Sequence, residues 1–340
     1  GGYFWHISGL HWDPSYDVGS NSASKCASSG GRPTPNAGRF GDYSCDSPWT
    51  LINSTLSAMR GILPDPDFII WTGDITPHVP DEQLGVEPKL LYQTGFRVVV
   101  LNTNLYYDQN KLTENIKDPA DQFSWPLFCL TQVYIIGHVP PGFFEKKRDK
   151  AWFRKEFNKR YIDLIQKYSA VIQGQFFGHH HTDSFRMFYS SKGIFNSATN
   201  SVTCCPWFTR FYSCCFVFLK DIITYYMNLT YSNVVHERWE KAYRLTEAFR
   251  VPDASPTSMH RVMERISSDK CYLQKYYEFN SVNYDLTECH ADCRVDHVCA
   301  MREVDFEAYE KCVVKEGGSF NAPVLFTLLL SLMLSLLCLN

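Results

Sequence analysis

Four apolar runs, each followed by a glycine and then by polar side chains, dominate the pattern of hydrophobic positions along the chain. They span residues 3–8, 67–72, 132–136 and 171–177. Apolar runs of this length bounded by glycine are typical of strands, because helices need longer segments. The sequence therefore predicts four buried strands, each with a tight turn at its carboxyl end.

Two segments near these strands carry apolar residues at helical spacing. Ser47 and Pro48 suit the N-cap and the first position of a helix, and apolar positions recur from residue 51 to residue 59. A second helix is predicted over residues 150–168, with its aromatic stripe facing the core. Further strands are predicted over residues 185–189, 215–219 and 222–227. This alternation of strands and helices indicates the α/β class.

From about Val234 the pattern changes to charged, helix-forming segments separated by proline-containing breaks. No strand pattern appears from there through Cys312. We therefore predict a sheet domain over residues 1–233 and a small helical subdomain over residues 234–316. A tail over residues 317–340 follows.

The composition fits an ordinary globular protein and argues against one class of partner. The chain has 340 residues, of which 45% are hydrophobic and 20% are charged, and its net charge is −3. No block of basic residues is present. Binding to a nucleic-acid duplex is disfavoured, because it requires a basic surface, whereas a small nucleotide substrate stays open.

Thirteen cysteines and two glycosylation sequons indicate the secretory route. The sequons begin at Asn53 and Asn228. Four cysteines near the C-terminus lack histidines at the spacing of a zinc knuckle, so disulfides are the better interpretation. These four are Cys289, Cys293, Cys299 and Cys312.

Both ends of the chain bear on targeting. The start at Gly1 has neither a Met nor a charged segment before an apolar one, so we expect a signal peptide to have been removed or left out. Residues 324–339 form an uncharged apolar tail, preceded by small residues at 317–319. This order resembles a GPI-attachment signal, although the spacer of residues 320–323 is shorter than the usual ~8–12 residues. The alternative is a tail-anchored membrane helix.

The segment Gly178-His179-His180-His181, directly after the fourth predicted strand, carries the richest chemistry. On extended backbone, residues at i and i+2 point to the same side, which places His179 and His181 together. The other three strands also lead to metal-competent side chains: His11, Asp74 with His78, and His138. Sites in α/β proteins collect at the carboxyl ends of strands, and imidazole is a common zinc ligand. We therefore predict that these residues converge on a metal site.

The same residues carry a resemblance to a known family. The chain resembles the calcineurin-like metallophosphoesterases, whose pattern is D-x-H, G-D, G-N-H, G-H and G-H-x-H. More narrowly, it resembles the acid sphingomyelinase-like phosphodiesterases, and most of all their GPI-anchored member. The matching phrases are Cys45-Asp-Ser-Pro-Trp, Trp71-Thr-Gly-Asp-Ile-Thr-Pro-His78, Leu101-Asn-Thr-Asn-Leu-Tyr-Tyr, Gly137-His-Val-Pro-Pro-Gly-Phe-Phe and residues 174–186.

The resemblance implies the fold and the disulfides. The fold would be an α/β fold of the α+β sandwich type, a calcineurin-like core with a small helical, disulfide-tied C-terminal subdomain. The family pairing would give the disulfides Cys26–Cys45, Cys289–Cys293 and Cys299–Cys312. The odd number of cysteines leaves at least one thiol unpaired.

The resemblance also implies two zinc ions. Asp74 would bridge them. His11 and His181 would belong to the first ion, and His138 and His179 to the second. The catalytic residue His78 would contact the phosphate, whereas His180 would have no role and would point away from the metals. A mixed His and Asp set suits zinc better than Ca²⁺ or Mg²⁺, which prefer oxygen ligands.

The chain departs from the family pattern in three places. Gly9 replaces the Asp of D-x-H, and the G-N-H motif is missing, in the region near residues 85–95. Residues 195–214 form an altered stretch rich in cysteine and aromatic residues. Each expected ion nevertheless keeps three protein ligands, which is enough for a catalytic zinc shell. Without the motif's histidine, the leaving group has no proton donor.

We therefore expect a metal-dependent phosphodiesterase, a phosphoric diester hydrolase, secreted or at the outer face of the plasma membrane. Its substrates would be phosphodiesters of lipid head groups, such as sphingomyelin, or of nucleotides. The alternative is a catalytically impaired surface protein of the same fold that binds lipid or regulates a partner, from a splice form or a faulty gene model. Gly9 and the missing motif favour the alternative, and the retained histidines favour the enzyme.

Overall fold

The computed structural model of the protein describes residues 2–19, 23–79, 98–124, 133–200, 207–214 and 218–318. The region near residues 85–95, where the G-N-H motif is missing, and the apolar tail from residue 319 onward lie outside these ranges. The described strands form two five-stranded sheets.

The strands are β1 (Gly2–Ile7), β2 (Phe68–Trp71), β3 (Val98–Val100), β4 (Val133–Ile136), β5 (Ile172–Phe177), β6 (Ser184–Ser190), β7 (Gly193–Asn200), β8 (Trp207–Cys214), β9 (Phe218–Met227) and β10 (Trp239–Arg244). The α-helices are α1 (Trp49–Ile62), α2 (Lys155–Lys167), α3 (Leu229–Val234), α4 (Leu245–Phe249), α5 (Pro256–Ser268), α6 (Lys270–Asn280), α7 (Asp292–Arg302) and α8 (Phe306–Gly318). The first sheet has the order β10-β9-β8-β1-β2, and the second has the order β3-β4-β5-β7-β6.

Parallel pairing makes the carboxyl ends of the four motif-bearing strands neighbours, β1 beside β2 in one sheet and β4 beside β5 in the other. In the first sheet β1 is parallel to β2, with Phe4 opposite Phe68. In the second sheet β4 is parallel to both β3 and β5. The turns after β1 and β2 are therefore neighbours, and so are the turns after β4 and β5.

The two sheets face one another, and a helix covers the outer side of each. Alternation along β1 sends Phe4 between the sheets, where its ring packs against Tyr134 and Phe176 of the second sheet. The next residue, Trp5, points outward and packs in the cluster that α1 completes. On the second sheet, Tyr161 of α2 is buried against the outer face. The layer order is α1, first sheet, second sheet and α2, which is the α+β sandwich that the resemblance implies.

The C-terminal helices complete the core from one side. Helices α5 and α7 pack on β6 and β7, and their apolar residues share one core cluster with both sheets. The disulfide Cys299–Cys312 joins α7 to α8, Cys289–Cys293 closes the turn before α7, and Cys26–Cys45 closes the loop before α1. These are the pairings that the resemblance implies. None of the described helices is long and apolar enough to span a membrane.

The strands differ from the prediction in two places. Residues Trp239–Arg244 form β10 on β9, although no strand was expected beyond Val234. The pattern is weak because β10 is an edge strand with half-exposed residues on both faces. The strands predicted over residues 215–219 and 222–227 are joined, since β9 is continuous over Phe218–Met227; residues 215–217 lie outside the described ranges. The altered stretch of residues 195–214 contributes described residues to β7 and β8.

Both predicted helices begin later than expected. Helix α1 starts at Trp49, with Pro48 rather than Ser47 at the N-cap position. Helix α2 starts at Lys155 rather than at residue 150. The preceding residues form isolated β-bridges at positions 151 and 153 instead, so their aromatic side chains join the core from extended backbone.

Candidate metal and phosphate site

The turns after β1, β2, β4 and β5 bring the five predicted metal ligands together. Oδ2 of Asp74 lies 2.9 Å from Nε2 of His11 and 3.2 Å from Nε2 of His138. The Nε2 atoms of His11 and His181 are 3.2 Å apart. The rings of His138 and His179 have centroids 5.2 Å apart. All five residues therefore form one cluster, on the scale of the ~4 Å that separates the ions of a two-ion site.

Unusual backbone geometry shapes this cluster. His11, Asp74, His179 and His181 all have positive φ, between 38° and 70°. Residues other than glycine adopt this left-handed region rarely, at a cost of order 1–3 kcal/mol each, and keep it only where the surroundings enforce it. Strain of this kind clusters at functional sites, which supports a functional interpretation of these turns.

Gly178 allows β5 to turn directly against the other loops. A Cβ atom at this position would lie 1.9 Å from Oγ of Ser8 and 3.3 Å from Nδ1 of His138. The Gly178 N–H also donates to the His138 carbonyl at 2.9 Å. The glycine of this motif is therefore required by packing, and it couples the turns after β4 and β5.

Hydrogen bonds determine which nitrogen of two imidazoles faces Asp74. Nδ1 of His11 lies 2.8 Å from the Thr76 carbonyl, and Nδ1 of His138 lies 3.0 Å from the Thr72 carbonyl. A carbonyl only accepts hydrogen bonds, so each Nδ1 carries the proton and each Nε2 presents a lone pair to Asp74. Metal-binding histidines typically have such a partner on the other ring nitrogen.

The cluster fits the metal ions that the resemblance implies. The Nε2 lone pairs of His11 and His138 both face a carboxylate oxygen, so acceptor stands opposite acceptor. Nε2 of His179 is buried and has no hydrogen-bond partner within the described ranges. Cations among these atoms would give every one of them a favourable contact, and the mixed N and O donor set is one that zinc accepts.

Burial keeps two imidazoles of the cluster, His179 and His181, in a metal-binding protonation state. Burial, reinforced by the neighbouring His138, lowers the pKa of His179 to about 2. Burial, reinforced by His11, lowers the pKa of His181 to about 3. Neutral imidazole and ionised carboxylate are the forms that bind metal.

By the resemblance, Gly9 occupies the position of a carboxylate ligand. Its φ is +59°, and its N–H donates to the Gly73 carbonyl at 2.9 Å, beside the turn that carries Asp74. A glycine has no side chain to contribute from this position. The five clustered residues therefore supply four imidazoles and one carboxylate.

His78 lies at the solvent side of the cluster. Its ring stacks on His11 with centroids 3.9 Å apart, and nitrogens of His78, His11 and His181 all lie within 4.8 Å of one another. Asp46 holds it: the carboxylate accepts from the His78 N–H at 2.6 Å and contacts Nδ1 at 2.8 Å. The hydrogen bond to Asp46 raises the pKa of His78. This contact leaves Nε2 as the nitrogen directed away from Asp46.

Sequence reasoning missed Asp46. It stands in the phrase Cys45-Asp-Ser-Pro-Trp, to which the sequence analysis assigned no chemistry. Its side chain is only 6% exposed, and a carboxylate so buried needs a partner. The available signal was an acidic residue directly beside a disulfide cysteine, in a segment already identified as part of the resemblance.

His180 belongs to a different, fully buried network. Its Nδ1 lies 3.1 Å from Nη2 of Arg186 and 3.4 Å from Oε2 of Glu145. Burial, together with the Arg186 charge, lowers the pKa of His180 to about 4. The middle histidine of the motif is therefore a neutral member of a buried ionic network, separate from the contacts of Asp74.

A cavity of about 620 Å³ opens beside the cluster. Its wall includes His181, Tyr43, Tyr284 and two charged residues, Lys146 and Asp285. The Tyr43 and Tyr284 rings meet with centroids 4.8 Å apart. This volume lies within the ~300–1,000 Å³ of typical ligand pockets. A phosphate at the cluster would therefore have room beside it for an esterified group.

Three further features of the sequence have clear positions. Asn53 on α1 and Asn228 at the start of α3 are both exposed. Cys289, Cys293 and His297 have the geometry of a metal-binding group. The disulfide between the two cysteines removes the thiolates that such a group would need.

Known proteins resemble this chain along almost its whole length. A family model described as the acid sphingomyelin phosphodiesterase C-terminal region matches residues 189–318. Acid sphingomyelinase-like phosphodiesterase 3b of Homo sapiens is 42% identical, over 98% of this chain and 94% of the relative. The cyclic GMP-AMP phosphodiesterase of Mus musculus is 30% identical, over 92% of each chain. Sphingomyelinase phosphodiesterase C of Dictyostelium discoideum is 28% identical, over 92% of this chain and 93% of the relative.

The match to acid sphingomyelinase-like phosphodiesterase 3b is longer than this chain. It extends over 431 residues, which exceeds the 340 residues of this chain, so it contains positions at which this chain has no residue. Identity and coverage of this extent establish common descent and a common phosphodiesterase fold. The chain belongs to the acid sphingomyelinase-like phosphodiesterases, a family whose metallophosphoesterase-like character implies the use of metal.

Proposed function

We propose that the protein is a phosphodiesterase that uses two zinc ions, held by five residues at the strand ends. The observation that carries the proposal is the convergence of four imidazoles around one carboxylate, Asp74. Packing alone does not call for so many imidazoles in one place. The five residues are His11, Asp74, His138, His179 and His181.

The distances suggest how the ligands divide between two ions. Asp74 would bridge, because His11 and His138 approach the same oxygen of its carboxylate. His181 lies with His11 and would complete the first set, and His179 lies with His138 and would complete the second. Two such ions would neutralise negative charge on a phosphate and acidify an attacking water.

His78 would act on the substrate directly. Asp46 occupies Nδ1 and raises the pKa of the ring, so His78 keeps its second proton to a higher pH than a free imidazole does. The Nε2–H can then donate to a phosphoryl oxygen. The His78 side chain is 53% exposed, which leaves it accessible to a phosphate that enters from solvent.

The proposed substrates are phosphodiesters of lipid head groups or of nucleotides. Relatives of this chain are named for both classes, a sphingomyelinase in one case and a cyclic GMP-AMP phosphodiesterase in another. The cavity beside His181 has both aromatic and charged walls, which suit a group attached to phosphate.

We place the protein on the secretory route, at the outer face of the plasma membrane. Three disulfides support an oxidising compartment. The exposed sequons at Asn53 and Asn228 are accessible to glycosylation. A GPI anchor attached near residues 317–319 would hold the protein at the membrane after removal of the apolar tail.

Metal content and turnover, measured on one preparation, test the proposal. Purified protein should contain zinc and should hydrolyse bis(p-nitrophenyl) phosphate, and His138→Ala should lose one of the two ions and the turnover. The control is His236→Ala, because His236 is an exposed histidine on the loop before β10. Protein without bound zinc, or a His138→Ala variant with unchanged turnover, would contradict the proposal.

Two features of the sequence favour a second function. Gly9 supplies no carboxylate, and the sequence lacks the histidine that would protonate a leaving group. A surface protein that keeps the metal site and the cavity, and binds a phosphorylated head group without cleaving it, fits these losses. Bound zinc and saturable binding of phosphocholine, with no turnover even of a nitrophenyl ester, would favour this second function.

A further inference from the structure

The loop that carries His179 and His181 needs contacts from outside itself to keep its shape. These two residues have φ of 69° and 55°. Left-handed backbone at residues with a Cβ costs of order 1–3 kcal/mol each and persists only when neighbouring structure enforces it. The contacts of the loop therefore show which residues hold the two imidazoles in place.

Glu145 holds the loop at the residue that follows His181. It is 1% exposed, and its Oε1 accepts from Oγ1 of Thr182 at 2.7 Å. Its Oε2 accepts from Nη2 of Arg186 at 2.6 Å, which balances the buried charge. The hydrogen bond from Thr182 thus fixes the exit of the loop to a side chain that comes from the chain after β4.

Asn280 holds the same point from the C-terminal helices. It is the last residue of α6 and is 0% exposed. Its carbonyl accepts from the Asp183 N–H at 3.1 Å, and its Nδ2 donates to the Asp183 carbonyl at 3.3 Å. The same Nδ2 donates to Oε1 of Glu145 at 2.8 Å. One side chain therefore joins the loop, the buried carboxylate and the C-terminal helices.

His180, between the two strained residues, joins this network as well. Its Nδ1 lies 3.1 Å from Nη2 of Arg186. That nitrogen of Arg186 also donates to the Phe143 carbonyl at 2.7 Å. The loop is therefore fixed at its middle by His180 and at its exit by Thr182 and Asp183.

We infer that Glu145 and Asn280 are positioning residues through which the C-terminal helices hold the His179–His181 loop in its metal-binding shape. This rests on the proposed function, because it takes His179 and His181 as metal ligands. Residues that orient metal ligands typically change metal affinity 10–100-fold when substituted. Loss of one contact to Glu145 should therefore weaken zinc binding beyond its effect on the stability of the fold.

A matched pair of substitutions tests the Glu145 contact. Thr182→Val keeps the shape of the side chain and removes the hydroxyl that reaches Glu145. Thr55→Val is the control, because Thr182 and Thr55 are 5% and 6% exposed and the Thr55 hydroxyl also donates one hydrogen bond, to the Leu51 carbonyl at 2.9 Å. Thr182→Ser restores the hydroxyl. Zinc affinity, measured by chelator competition, should fall 10–100-fold in Thr182→Val alone, whereas both Val variants should lose similar stability in urea without metal.

A second pair of substitutions tests the contact that Asn280 makes from the C-terminal helices. Asn280→Leu removes the bridge to Glu145 and Asp183. Asn158→Leu is its control. Asn158 is 1% exposed and also joins the chain after β4 to the C-terminal helices. It accepts from the Gly142 N–H and donates to the Val304 carbonyl, both at 2.9 Å. Zinc affinity should fall only in Asn280→Leu.

The outcomes separate this inference from the proposed function. Wild-type zinc affinity in Thr182→Val, or equal losses in Thr182→Val and Thr55→Val, would overturn the inference while the proposed function stands. A wild-type protein that binds no zinc would instead overturn the proposed function, and with it the inference.

Discussion

The carboxylate of Asp46 holds His78 twice, through the backbone N–H at 2.6 Å and through Nδ1 of the ring at 2.8 Å. Burial would raise the pKa of Asp46, but hydrogen bonds from His78 outweigh it and lower that pKa. The same contact raises the pKa of His78. An ionised Asp46 and a protonated His78 thus stabilise one another at the edge of the site.

Asp46→Asn should shift the pH dependence of turnover. A protonated His78 is present below its raised pKa and is lost as the pH rises through that value, so the rate should fall on the alkaline side. Without the Asp46 charge the pKa of His78 drops, and the alkaline limb should move to lower pH. The measurement is the pH–rate profile with a nitrophenyl phosphodiester. The control is Asp42→Asn on the same loop, where Asp42 accepts from the Ser44 N–H. An alkaline limb that stays in place in Asp46→Asn would contradict this role for Asp46.

Removal of metal should destabilise the folded protein. A ligand that binds only the native state adds about 2.7 kcal/mol at a concentration 100 times its Kd. Chelation should therefore lower the thermal midpoint of the wild type, and should lower that of His138→Ala by less, because this variant would hold one ion instead of two. Equal shifts in the two proteins would show that the chelator acts elsewhere.

Gly9→Asp should tighten metal binding. The position already adopts φ of +59°, a conformation that Asp tolerates better than most residues do. The new carboxylate would add an anionic ligand beside His11 and Asp74, where only three protein ligands are proposed for the first ion. Zinc stoichiometry and the rate of loss to a chelator measure the effect. Identical values in the parent and the variant would count against it.

Turnover should depend strongly on the leaving group. A general acid typically contributes ~10²–10⁴ in rate, and the G-N-H histidine that would supply it is missing from the sequence. Nitrophenyl esters leave without a proton, so they should retain more activity than choline or nucleoside esters. Rates of ~1–10³ s⁻¹ with sphingomyelin or a nucleotide, which are ordinary for enzymes, would contradict this expectation.

As the pH drops below about 6.5, the free energy of unfolding should decrease, in part because of His297. This residue is 2% exposed, and burial lowers its pKa from 6.5 to about 4. Between those values the unfolded chain binds a proton that the folded protein does not, so stability is lost as the pH drops, by up to about 1.4 kcal/mol per pH unit. His297→Gln should reduce the difference between urea unfolding at pH 7 and at pH 5. The exposed His236, replaced by Gln, should leave that difference unchanged.

The strand-end cluster could be predicted from sequence because its information is local. An apolar run buries a strand, a glycine permits the turn, and the next polar residue lies at the sheet edge, as at Gly73-Asp74 and Gly137-His138. Parallel pairing then makes those ends neighbours. Each step uses residues adjacent in the chain.

The supporting network could not be predicted in this way. Glu145 stands in the stretch Phe144-Glu-Lys-Lys-Arg-Asp-Lys, which has the composition of an exposed segment. Its burial depends on Asn280, 135 residues away, and on Arg186 from β6. Neither residue carries a local pattern that points to the other, so only the tertiary structure identifies them.

The Asn280–Asp183 contact joins residues 97 positions apart in the chain. Ribosomes add about 5–20 residues per second, so a growing chain carries its histidine loop for roughly 5–20 s before Asn280 has been synthesised. Throughout that interval the loop lacks its contacts with the C-terminal helices. Under the proposed function, stable zinc acquisition would be a late event of biogenesis, after α6 has emerged, and a nascent or truncated chain that ends before α6 would bind the ions more weakly.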